Sequence, residues 1–448
     1  MTKLFASAAL LPRGLARDVM IEIDGPRINK VDVGATAAGA DERHALIAAG
    51  VGNLHSHAFQ RAMAGLAEQK GSSDDSFWSW RSTMYKFALS MTPDDVEAVA
   101  AQLYIEMLEA GFTRVGEFHY LHHNEAGVPY ANIAEMAERI AAASVEAGIG
   151  LTLLPVFYAH SGFGPTPPTD GQRRFVNDRD RFSSLMDASR QIVDRTPSAC
   201  IGVAPHSLRA ATIPEIRDVV ALAQDGPIHI HVAEQMLEVE DCLHATGARP
   251  VELLLSNVDV TSNWCLIHAT HLSDIELNAL AATGAVAGLC PITEANLGDG
   301  IFRGADFRRA GGRYGVGSDS NVEISLAGEL RLLEYSQRLA QRARNVLAPA
   351  GGSTGQALLD DASAGAGQAL GVATGIAEGM PADLVALNRT GAEYLPHESL
   401  LDAFVFGSGV EIAEVWVAGR KRVSGGRHVN RDIIRSRFDK VMLGLVRR

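Results

Sequence analysis

Eight short apolar runs with strand character alternate with longer segments of helical periodicity along most of this chain. The runs cover residues 51–54, 114–118, 150–158, 200–204, 228–232, 264–269, 285–290 and 314–317. Helical patterns occupy residues 93–110, 132–147, 180–195, 214–223, 238–255 and 325–344. A strand followed by a helix, repeated eight times, predicts an α/β fold of the (β/α)8, TIM-like barrel type. Functional side chains of such a barrel lie at the C-terminal ends of its strands.

The two ends of the chain have strand patterns that differ from the continuous apolar runs of the predicted barrel. Near the start, Val19, Ile21 and Ile23 alternate with Met20, Glu22 and Asp24. Near the end, residues 414–423 suggest a hairpin that turns at Ala418-Gly419. We expect both ends to join in one small β-sandwich domain. The expected division is 1–48 for its first part, 49–375 for the barrel, 376–430 for its second part and 431–448 for a C-terminal helix.

Charge and cysteine content restrict the partners and the compartment. The net charge of -13 at pH 7 disfavours binding to a phosphate backbone or to an anionic membrane surface. We therefore expect no nucleic-acid partner and no membrane partner. The four cysteines lie far apart without a CxxC pair, and no apolar run reaches 18 residues. These features predict a cytoplasmic protein with reduced thiols.

A pair of histidines ends the first predicted strand. His55 and His57 are two residues apart, so their side chains share one face of that strand and can meet at one point. Such a pair can offer two ligands to a metal ion. On its own, the pair is more typical of two hydrogen-bonded polar residues than of a metal site.

Further candidate ligands stand at other predicted strand ends. The fifth strand ends with His231 and Glu234, the sixth with His268, and the eighth is followed by Asp319. His229 shares a face with His231, but His231 is nearer the barrel mouth and is the preferred ligand. Three imidazoles and a carboxylate suit Zn²⁺ or Fe²⁺ with one position open for water.

Glu234 and His268 are candidates to move protons and to stabilise the charge that develops in a hydrolysis. Two other interpretations remain open. Glu234 could be a surface residue that opens a helix, and His268 could be an ordinary histidine at a strand end.

The lysines limit the number of metal ions. None lies between residues 114 and 317, because the lysines of the chain are Lys3, Lys30, Lys70, Lys86, Lys421 and Lys440. Both a Schiff-base aldolase and a hydrolase whose two metals share a carboxylated lysine need a lysine on a barrel strand. We therefore expect one metal ion per chain.

The chain resembles the amidohydrolase superfamily in its mononuclear deaminase branch. The resemblance spans essentially the whole chain and is carried by Asn53-x-His55-x-His57, His231-x-x-Glu234, His268, Ser318-Asp319-Ser320 and Gly379-x-Pro381-Ala382-Asp383-Leu384. Within that branch, residues 53–65 and Phe77-Trp78-x-Trp80-Arg81 are most similar to the formimidoylglutamate deiminases of histidine degradation. Ala49 and Gly52 depart from the pattern, because relatives usually carry prolines there.

The resemblance implies a set of site residues. It implies one divalent metal ion, Zn²⁺ before Fe²⁺, bound by His55, His57, His231 and Asp319. It implies catalytic roles for Glu234, His268 and Asp319. It further implies a substrate pocket that contains Gln60, Arg81, Tyr120, His206 and Arg209. Arginine binds carboxylates in bidentate fashion, which suits a small dicarboxylate substrate, although each arginine could instead be a surface cation. We expect Trp78 and Trp80 to pack a lid.

The function that the resemblance implies is the hydrolysis of N-formimidoyl-L-glutamate to N-formyl-L-glutamate and ammonia. In this hypothesis the metal lowers the pKa of water and Asp319 accepts a proton from it. His268 steadies the attacking species, and Glu234 relays a proton to the leaving nitrogen. The alternatives are a deaminase of a ring substrate, such as guanine or an adenosine derivative, and a non-catalytic barrel that acts in assembly. The resemblance also implies a homodimer.

Overall fold

A computed structural model of the chain describes residues 1–68 and 77–447, apart from the side chains of residues 77–79 and 82. The expectation for Trp78 therefore lies outside the described residues. Among the helices that are described, none combines the length and the apolar character needed to cross a lipid bilayer.

The described chain alternates strands and helices over most of its length. Its strands are β1 (Thr2–Leu11), β2 (Gly14–Asp24), β3 (Arg27–Val33), β4 (Glu42–Ala49), β5 (Val51–Ser56), β6 (Phe112–His119), β7 (Gly150–Phe157), β8 (Ala199–Ile201), β9 (Ala204–Pro205), β10 (Ile228–Val232), β11 (Trp264–His268), β12 (Val286–Leu289), β13 (Arg313–Val316), β14 (Leu384–Asn388), β15 (Glu411–Val417), β16 (Arg420–Ser424) and β17 (Arg427–His428).

Its α-helices are α1 (Phe77–Ser90), α2 (Pro93–Glu109), α3 (Glu135–Ala147), α4 (Arg179–Asp194), α5 (Ile213–Val220), α6 (Met236–Thr246), α7 (Pro250–Asn257), α8 (Asp274–Thr283), α9 (Pro291–Leu297), α10 (Gly304–Arg309), α11 (Leu326–Gln341), α12 (Thr354–Ala369), α13 (Leu400–Phe406) and α14 (Arg431–Leu445). Short 3-10 turns occur at Ala58–Met63, Asp170–Gln172, Ala221–Ala223 and His397–Ser399.

The central strands pair in parallel, as in a barrel. β5 to β8 form one sheet, in which β9 also pairs with β7, and β10 to β13 form another. Parallel bridges between Val203 and Ile228 and between Ser56 and Asp319 join the edges of the two sheets. When β8 and β9 are taken as one interrupted strand, the strands follow one another in a closed ring. The α/β class expected from the sequence is confirmed, and each of the eight predicted strand regions contains a strand.

One predicted helix is wrong in its extent. The segment 238–255 is not a single helix but the pair α6 and α7, because Gly247 ends α6 with a left-handed backbone at φ 78°. Glycine adopts this conformation without a steric penalty and therefore commonly terminates helices. The sequence interpretation also omitted α8, which begins with a capping box between Ser273 and Glu276.

Both ends of the chain contribute to one further sheet. Its order is β17-β16-β15-β14-β4-β1-β2-β3, so the N-terminal and C-terminal parts meet where β4 pairs with β14. The hairpin expected at Ala418-Gly419 is confirmed, since β15 and β16 are antiparallel and both turn residues have positive φ. Ala49 ends β4 and faces Leu384 of β14. The chain then passes into the first barrel strand at Val51.

Gly52, the second departure from the resembled pattern, lies against the C-terminal end of α12. A Cβ atom at Gly52 would stand 2.6 Å from Leu370 Cδ1 and 3.3 Å from Ala366 Cβ. This close approach explains the absence of a side chain and places α12 across the N-terminal end of the barrel.

The helix expected at the C-terminus is present as α14. Ile434, Phe438 and Leu445 on one side of it are buried, whereas Ile433 and Leu443 are exposed. Arg431 forms an ion pair with Glu109 at the end of α2. These contacts hold α14 on the outside of the barrel, where it packs against α2, a helix far from it in the sequence.

Candidate metal centre and active site

The functional side chains predicted from the sequence come from the C-terminal ends of four barrel strands. His55 lies in β5 with His57 just beyond it, and His231 lies in β10. His268 is the last residue of β11, and Asp319 follows β13. Four parallel strands therefore deliver these side chains to one mouth of the barrel.

The backbone at these strand ends is strained. Ala233, His268, Ala269 and Asp319 all have positive φ values, between 45° and 67°, although none is glycine. Such conformations cost about 1–3 kcal/mol each and tend to occur at functional sites, where they direct side chains. Here they turn the chain sharply so that His268 and Asp319 reach the centre of the mouth.

One donor atom from each of His55, His57, His231 and Asp319 converges on a common point. The Nε2 atom of His55 lies 3.2 Å from that of His57 and 3.1 Å from that of His231. Asp319 Oδ1 lies 3.3 Å from His55 Nε2 and 3.1 Å from His57 Nε2. All four residues are buried.

Hydrogen bonds to carbonyl groups fix the tautomers of two of these histidines. His57 Nδ1 lies 3.0 Å from the Phe118 carbonyl oxygen, and His231 Nδ1 lies 3.0 Å from the His206 carbonyl oxygen. A carbonyl oxygen can only accept, so each Nδ1 must carry the proton. The Nε2 lone pairs of His57 and His231 are therefore free to point at the centre of the cluster.

The cluster fits a divalent metal ion. Ligands of a tetrahedral zinc ion with bonds of about 2.0 Å stand about 3.3 Å apart, which agrees with the contacts among these four residues. Burial lowers the pKa of His55 to about 3, and burial together with the neighbouring His55 lowers the pKa of His231 well below its usual value. Neutral imidazoles are the form that binds a metal.

Glu234 and His268 lie next to this cluster. Glu234 Oε1 is 3.6 Å from His268 Nε2, and Asp319 Oδ2 is 3.9 Å from the same nitrogen. On its other side, His268 Nδ1 is 3.2 Å from Glu294 Oε1. Burial acts to lower the pKa of His268, but the surrounding carboxylates, Glu234 first, raise it to about 10. Burial likewise raises the pKa of Glu234.

A single cavity contains nearly all the residues expected at the site. The five expected substrate contacts line it: Gln60, Arg81, Tyr120, His206 and Arg209. Five expected metal-binding or catalytic residues line it as well: His57, His231, Glu234, His268 and Asp319. His55 does not line it and lies beneath the cluster with no exposed surface. Trp80, which the sequence assigned to a lid, also lines the cavity.

Two of the expected substrate contacts are linked to each other. Gln60 Nε2 donates a hydrogen bond of 2.8 Å to the Tyr120 hydroxyl, while Gln60 Oε1 is buried without a partner among the described residues. The ring of Tyr120 also meets that of His57 edge to face, with centroids 5.0 Å apart. The Gln60 carboxamide is therefore held beside the metal cluster with one polar atom still available.

The two arginines of the cavity have different surroundings. Arg209 Nη2 lies 3.6 Å from Glu234 Oε2, and only 11% of the Arg209 side chain is exposed. The Arg81 guanidinium lies over the ring of Tyr85, with Cζ 5.3 Å from the centroid. Two cations beside a buried cavity provide the charge needed to bind anionic groups.

The sequence interpretation missed several polar groups around the site. Tyr158 lines the cavity, and its hydroxyl accepts a hydrogen bond of 2.7 Å from Gln172. Tyr158 follows the third barrel strand directly, so the rule applied to the other strand ends could have found it. Glu294 lies inside α9 and Asp299 beyond that helix, where no sequence signal marks them.

Asn53, for which the sequence suggested no role, joins the first barrel strand to the last. Its Nδ2 donates to Ser318 Oγ at 2.6 Å, and Ser318 N donates to Asn53 Oδ1 at 3.1 Å. Ser318 Oγ in turn donates to Asn321 Oδ1, and Asn321 Nδ2 donates to the His57 carbonyl. This network fixes the segment that carries Asp319 relative to the segment that carries His55 and His57.

Sequence comparisons match the whole chain to known proteins. A profile described as "Amidohydrolase family" matches residues 46–422, and one described as "Formimidoylglutamate deiminase HutF, N-terminal domain" matches residues 1–45. The chain is 46% identical to a formimidoylglutamate deiminase of Pseudomonas aeruginosa, with 99% of each protein covered. It is 25% identical to a 5-methylthioadenosine/S-adenosylhomocysteine deaminase of Natronomonas pharaonis, over 92% of this chain and 89% of that protein.

Solved structures agree with these matches. The crystal structure of an amidohydrolase from Brucella melitensis superposes with a TM-score of 0.98 and 55% identity, and both chains are covered completely. An adenosine deaminase from Xanthomonas campestris with bound zinc superposes with a TM-score of 0.83 and 19% identity, over 100% of this chain and 99% of that one. At that identity, the second likeness bears on the fold alone.

Proposed function

The chain belongs to the amidohydrolase family, and on that basis we propose that it is a hydrolase that deiminates N-formimidoyl-L-glutamate. The reaction takes N-formimidoyl-L-glutamate and water to N-formyl-L-glutamate and ammonia. The bond from the formimidoyl carbon to its terminal nitrogen breaks, and a bond from that carbon to the water oxygen forms. The match to a formimidoylglutamate deiminase over nearly the full length of both proteins supports this proposal.

The observation that carries the substrate assignment is the position of two arginines. Arg81 and Arg209 line the same cavity as Glu234 and the metal cluster. A glutamate derivative presents two carboxylates, and arginine binds a carboxylate through two parallel hydrogen bonds. We assign Gln60, Tyr120 and His206 to the same pocket, because they line the same cavity as these arginines.

We assign the metal ion to His55, His57, His231 and Asp319, one ion per chain. The three-nitrogen, one-oxygen donor set is compatible with Zn²⁺, and Fe²⁺ is the second choice. When bound, such an ion lowers the pKa of water and stabilises negative charge that develops on the substrate.

The surrounding side chains supply proton transfer. Asp319 has a second carboxylate oxygen that is turned toward His268 and can accept a proton from the attacking water. His268 Nε2 has no hydrogen-bond partner among the described residues, so it can donate to the attacking oxygen. Glu234 lies 3.6 Å from His268 Nε2 and lines the cavity, where it can pass a proton to the nitrogen that leaves.

The proposal also includes the domain division, the location and the oligomeric state expected from the sequence. We propose that residues 1–48 and 376–430 form one domain, that residues 49–375 form the barrel domain, and that residues 431–448 form the terminal helix. We propose a cytoplasmic homodimer whose partner in function is the small dicarboxylate substrate. The negative charge of the chain supports the expectation that neither nucleic acid nor a membrane is a partner.

Neither alternative from the sequence is favoured. A deaminase of a ring substrate has less use for two arginines in the pocket. The 5-methylthioadenosine/S-adenosylhomocysteine deaminase of Natronomonas pharaonis is only 25% identical to this chain, against 46% for the formimidoylglutamate deiminase. A barrel that serves only in assembly has no need for four converging ligands, and all four are present here.

Product identification tests the proposal directly. We expect the zinc-loaded protein to convert N-formimidoyl-L-glutamate to N-formyl-L-glutamate with one ammonia released per turnover, as read by mass spectrometry and an ammonia assay. Formation of glutamate and formamide would show that a different bond is cut and would overturn the assignment. Guanine and adenosine derivatives serve as control substrates, and faster ammonia release from one of them would favour the ring-substrate alternative.

A further inference from the structure

A second cluster of buried donor atoms lies beside the first. It consists of Glu234, His268 and Asp299, and one donor atom from each lies within 4.8 Å of the other two. Among the described residues, His268 Nε2 and Asp299 Oδ2 have no hydrogen-bond partner. His268 is 0% exposed and Asp299 is 5% exposed. Buried polar atoms are normally paired, so these two atoms mark a position that a ligand can fill.

The loop that carries Asp299 is held firmly. Gln235 Nε2 donates to Asp299 Oδ1, and His271 Nε2 donates to the Asp299 carbonyl oxygen at 2.8 Å. The Asp299 amide donates to the Glu294 carbonyl oxygen at 2.9 Å. With one carboxylate oxygen and both backbone groups occupied, Oδ2 remains as the free donor atom of Asp299.

The other two members of the cluster also keep one donor atom for a cation. Glu294 lies 3.2 Å from His268 Nδ1 and accepts the proton of that nitrogen in a hydrogen bond. A cation therefore takes the lone pair of Nε2, and the proton that Nε2 carries in the metal-free cluster is released to solvent. Arg209 approaches Glu234 at Oε2, whereas Glu234 Oε1 faces His268 Nε2 at 3.6 Å.

Asp319 connects this cluster to the first. Its Oδ1 lies 3.3 Å from His55 Nε2 in the first cluster, and its Oδ2 lies 3.9 Å from His268 Nε2 in the second. A carboxylate in this position can bridge two metal ions, which stand about 3.5–4 Å apart in two-metal sites.

We propose that Glu234, His268 and Asp299 form a second divalent-cation site, which fills when zinc exceeds one ion per chain. A nitrogen and two carboxylate oxygens are ligands that zinc binds at about 2.0–2.2 Å, so an ion draws the three side chains slightly together. Occupancy withdraws Glu234 and His268 from proton transfer and therefore inhibits the enzyme. This inhibition rests on the proposed function, whereas the binding of the second ion does not.

Zinc stoichiometry of the holoenzyme tests the site. Protein that holds one zinc ion per chain is dialysed against rising concentrations of free Zn²⁺, and bound zinc is measured by elemental analysis. We expect a second equivalent to bind to the wild type. Asp299→Asn keeps Oδ1 as an acceptor for Gln235 but replaces the free oxygen with an amide nitrogen. It should retain the first zinc and need at least about tenfold more free Zn²⁺ for the second.

The control variant is Asp225→Asn, which removes one carboxylate from an exposed loop. It should bind two equivalents at the same free Zn²⁺ as the wild type. Wild-type protein that saturates at one zinc per chain would overturn the proposal. So would equal affinity for the second zinc in the wild type and in Asp299→Asn, because this result would indicate binding elsewhere.

Activity measured over the same range of zinc provides the second readout. We expect deimination to fall as the second equivalent binds, and the inhibitory concentration to rise at least about tenfold in Asp299→Asn, in line with its weaker second site. If Asp299→Asn also loses the first zinc, Glu234→Gln provides the same binding test through another ligand. If the protein binds two zinc ions but does not deiminate the substrate, the result contradicts the proposed function and still supports the second cation site.

Discussion

Asn53 and Ser318 join the first and last barrel strands through two hydrogen bonds, one from Asn53 Nδ2 to Ser318 Oγ and one from Ser318 N to Asn53 Oδ1. Ser318 immediately precedes Asp319, so this pair helps to set the distance between Asp319 and His55, together with the Ser318 and Asp319 amides, which donate to the His55 carbonyl at 3.1 and 2.9 Å. Gly317 allows the close approach, since a Cβ there would stand 2.7 Å from the His55 amide nitrogen.

Replacement of Asn53 with alanine should weaken the metal site without removing a ligand. Loss of groups that orient metal ligands typically lowers metal affinity about 10–100-fold. The variant also removes two buried hydrogen bonds to Ser318, which should lower the free energy of unfolding by about 1–3 kcal/mol in total. Zinc transfer to a competing chelator measures the first effect, and urea unfolding measures the second.

Asn177→Ala is the matched control for this prediction. Asn177 is also a buried amide, and its hydrogen bonds go to His123 and to the Phe175 carbonyl, away from the four ligands. It should lose stability but keep its zinc affinity. Equal zinc affinities in Asn53→Ala and the wild type would show that the hydrogen bonds between Asn53 and Ser318 do not position the ligands.

Replacement of Glu234 with glutamine should separate metal binding from turnover. Glutamine keeps the shape of the side chain but cannot carry a proton, so kcat should fall about 10²–10⁴-fold. Zinc content should stay at one ion per chain, because Glu234 does not belong to the first cluster. Glu240→Gln, on the exposed side of α6, is the control and should change neither quantity. Near-normal kcat in Glu234→Gln would remove Glu234 from proton transfer.

The neighbouring histidines of β10 provide a test of ligand identity. His231→Ala removes a proposed ligand and should weaken zinc binding more than about 100-fold, beyond the range typical of supporting groups. His229 Nε2 lies 2.7 Å from the Ala369 carbonyl oxygen, and His229 is not a member of the first cluster. His229→Gln should therefore keep its zinc. Elemental analysis after dialysis distinguishes the two variants, and zinc loss from His229→Gln alone would reverse the assignment.

Replacement of Arg209 with methionine should impair substrate binding. Methionine preserves much of the buried packing volume but removes the charged hydrogen bonds to a substrate carboxylate, which are worth about 1.5–3 kcal/mol. We therefore expect KM for N-formimidoyl-L-glutamate to rise about 10–100-fold. Arg179→Met removes an exposed arginine that pairs with Asp218 and should leave the kinetics unchanged. A normal KM in Arg209→Met would exclude Arg209 from the substrate pocket.

The barrel strands and the first metal cluster were accessible from sequence for a physical reason. Parallel strands buried on both faces appear as continuous apolar runs, so polar residues at their ends stand out. His55, His57, His231 and Asp319 each follow or end such a run, and the structure brings one donor atom from each together. The hairpin at Ala418-Gly419 was equally predictable, because a glycine between two strand-like runs is typical of a two-residue turn.

Other features depend on the path of the chain between elements, which local patterns do not encode. Asp299 joins the second cluster because the loop after α9 returns to the segments that follow β10 and β11, where Gln235 and His271 hydrogen-bond to Asp299. Asn53 gained its role from Ser318, which lies 265 residues away. The sequence shows a glycine at position 247 inside a helical pattern. Periodicity alone does not decide whether a helix continues through such a glycine or ends there in a left-handed conformation, as α6 does.

Asp383 links the two parts of the fold through a buried carboxylate. Its Oδ1 accepts a hydrogen bond of 2.7 Å from the Ala418 amide in the hairpin turn, and its carbonyl oxygen accepts one of 2.9 Å from the Gly50 amide. Burial raises the pKa of Asp383 above its usual value of 3.8, against the opposing effect of the Ala418 hydrogen bond.

This shift predicts how stability depends on pH. Above pH 3.8 the carboxyl of the unfolded chain ionises while that of the folded protein still holds its proton, so Asp383 lowers the free energy of unfolding as pH rises. The slope is at most about 1.4 kcal/mol per pH unit and vanishes above the folded pKa. Asp383→Asn keeps the acceptor for Ala418 but cannot ionise, so it should gain stability relative to the wild type as pH rises. Urea unfolding of both proteins between pH 4.5 and 8 measures the difference. Parallel curves would show that the folded Asp383 has an ordinary pKa, whereas Asp383→Ala should be less stable than Asp383→Asn at every pH because it leaves the Ala418 amide without its partner.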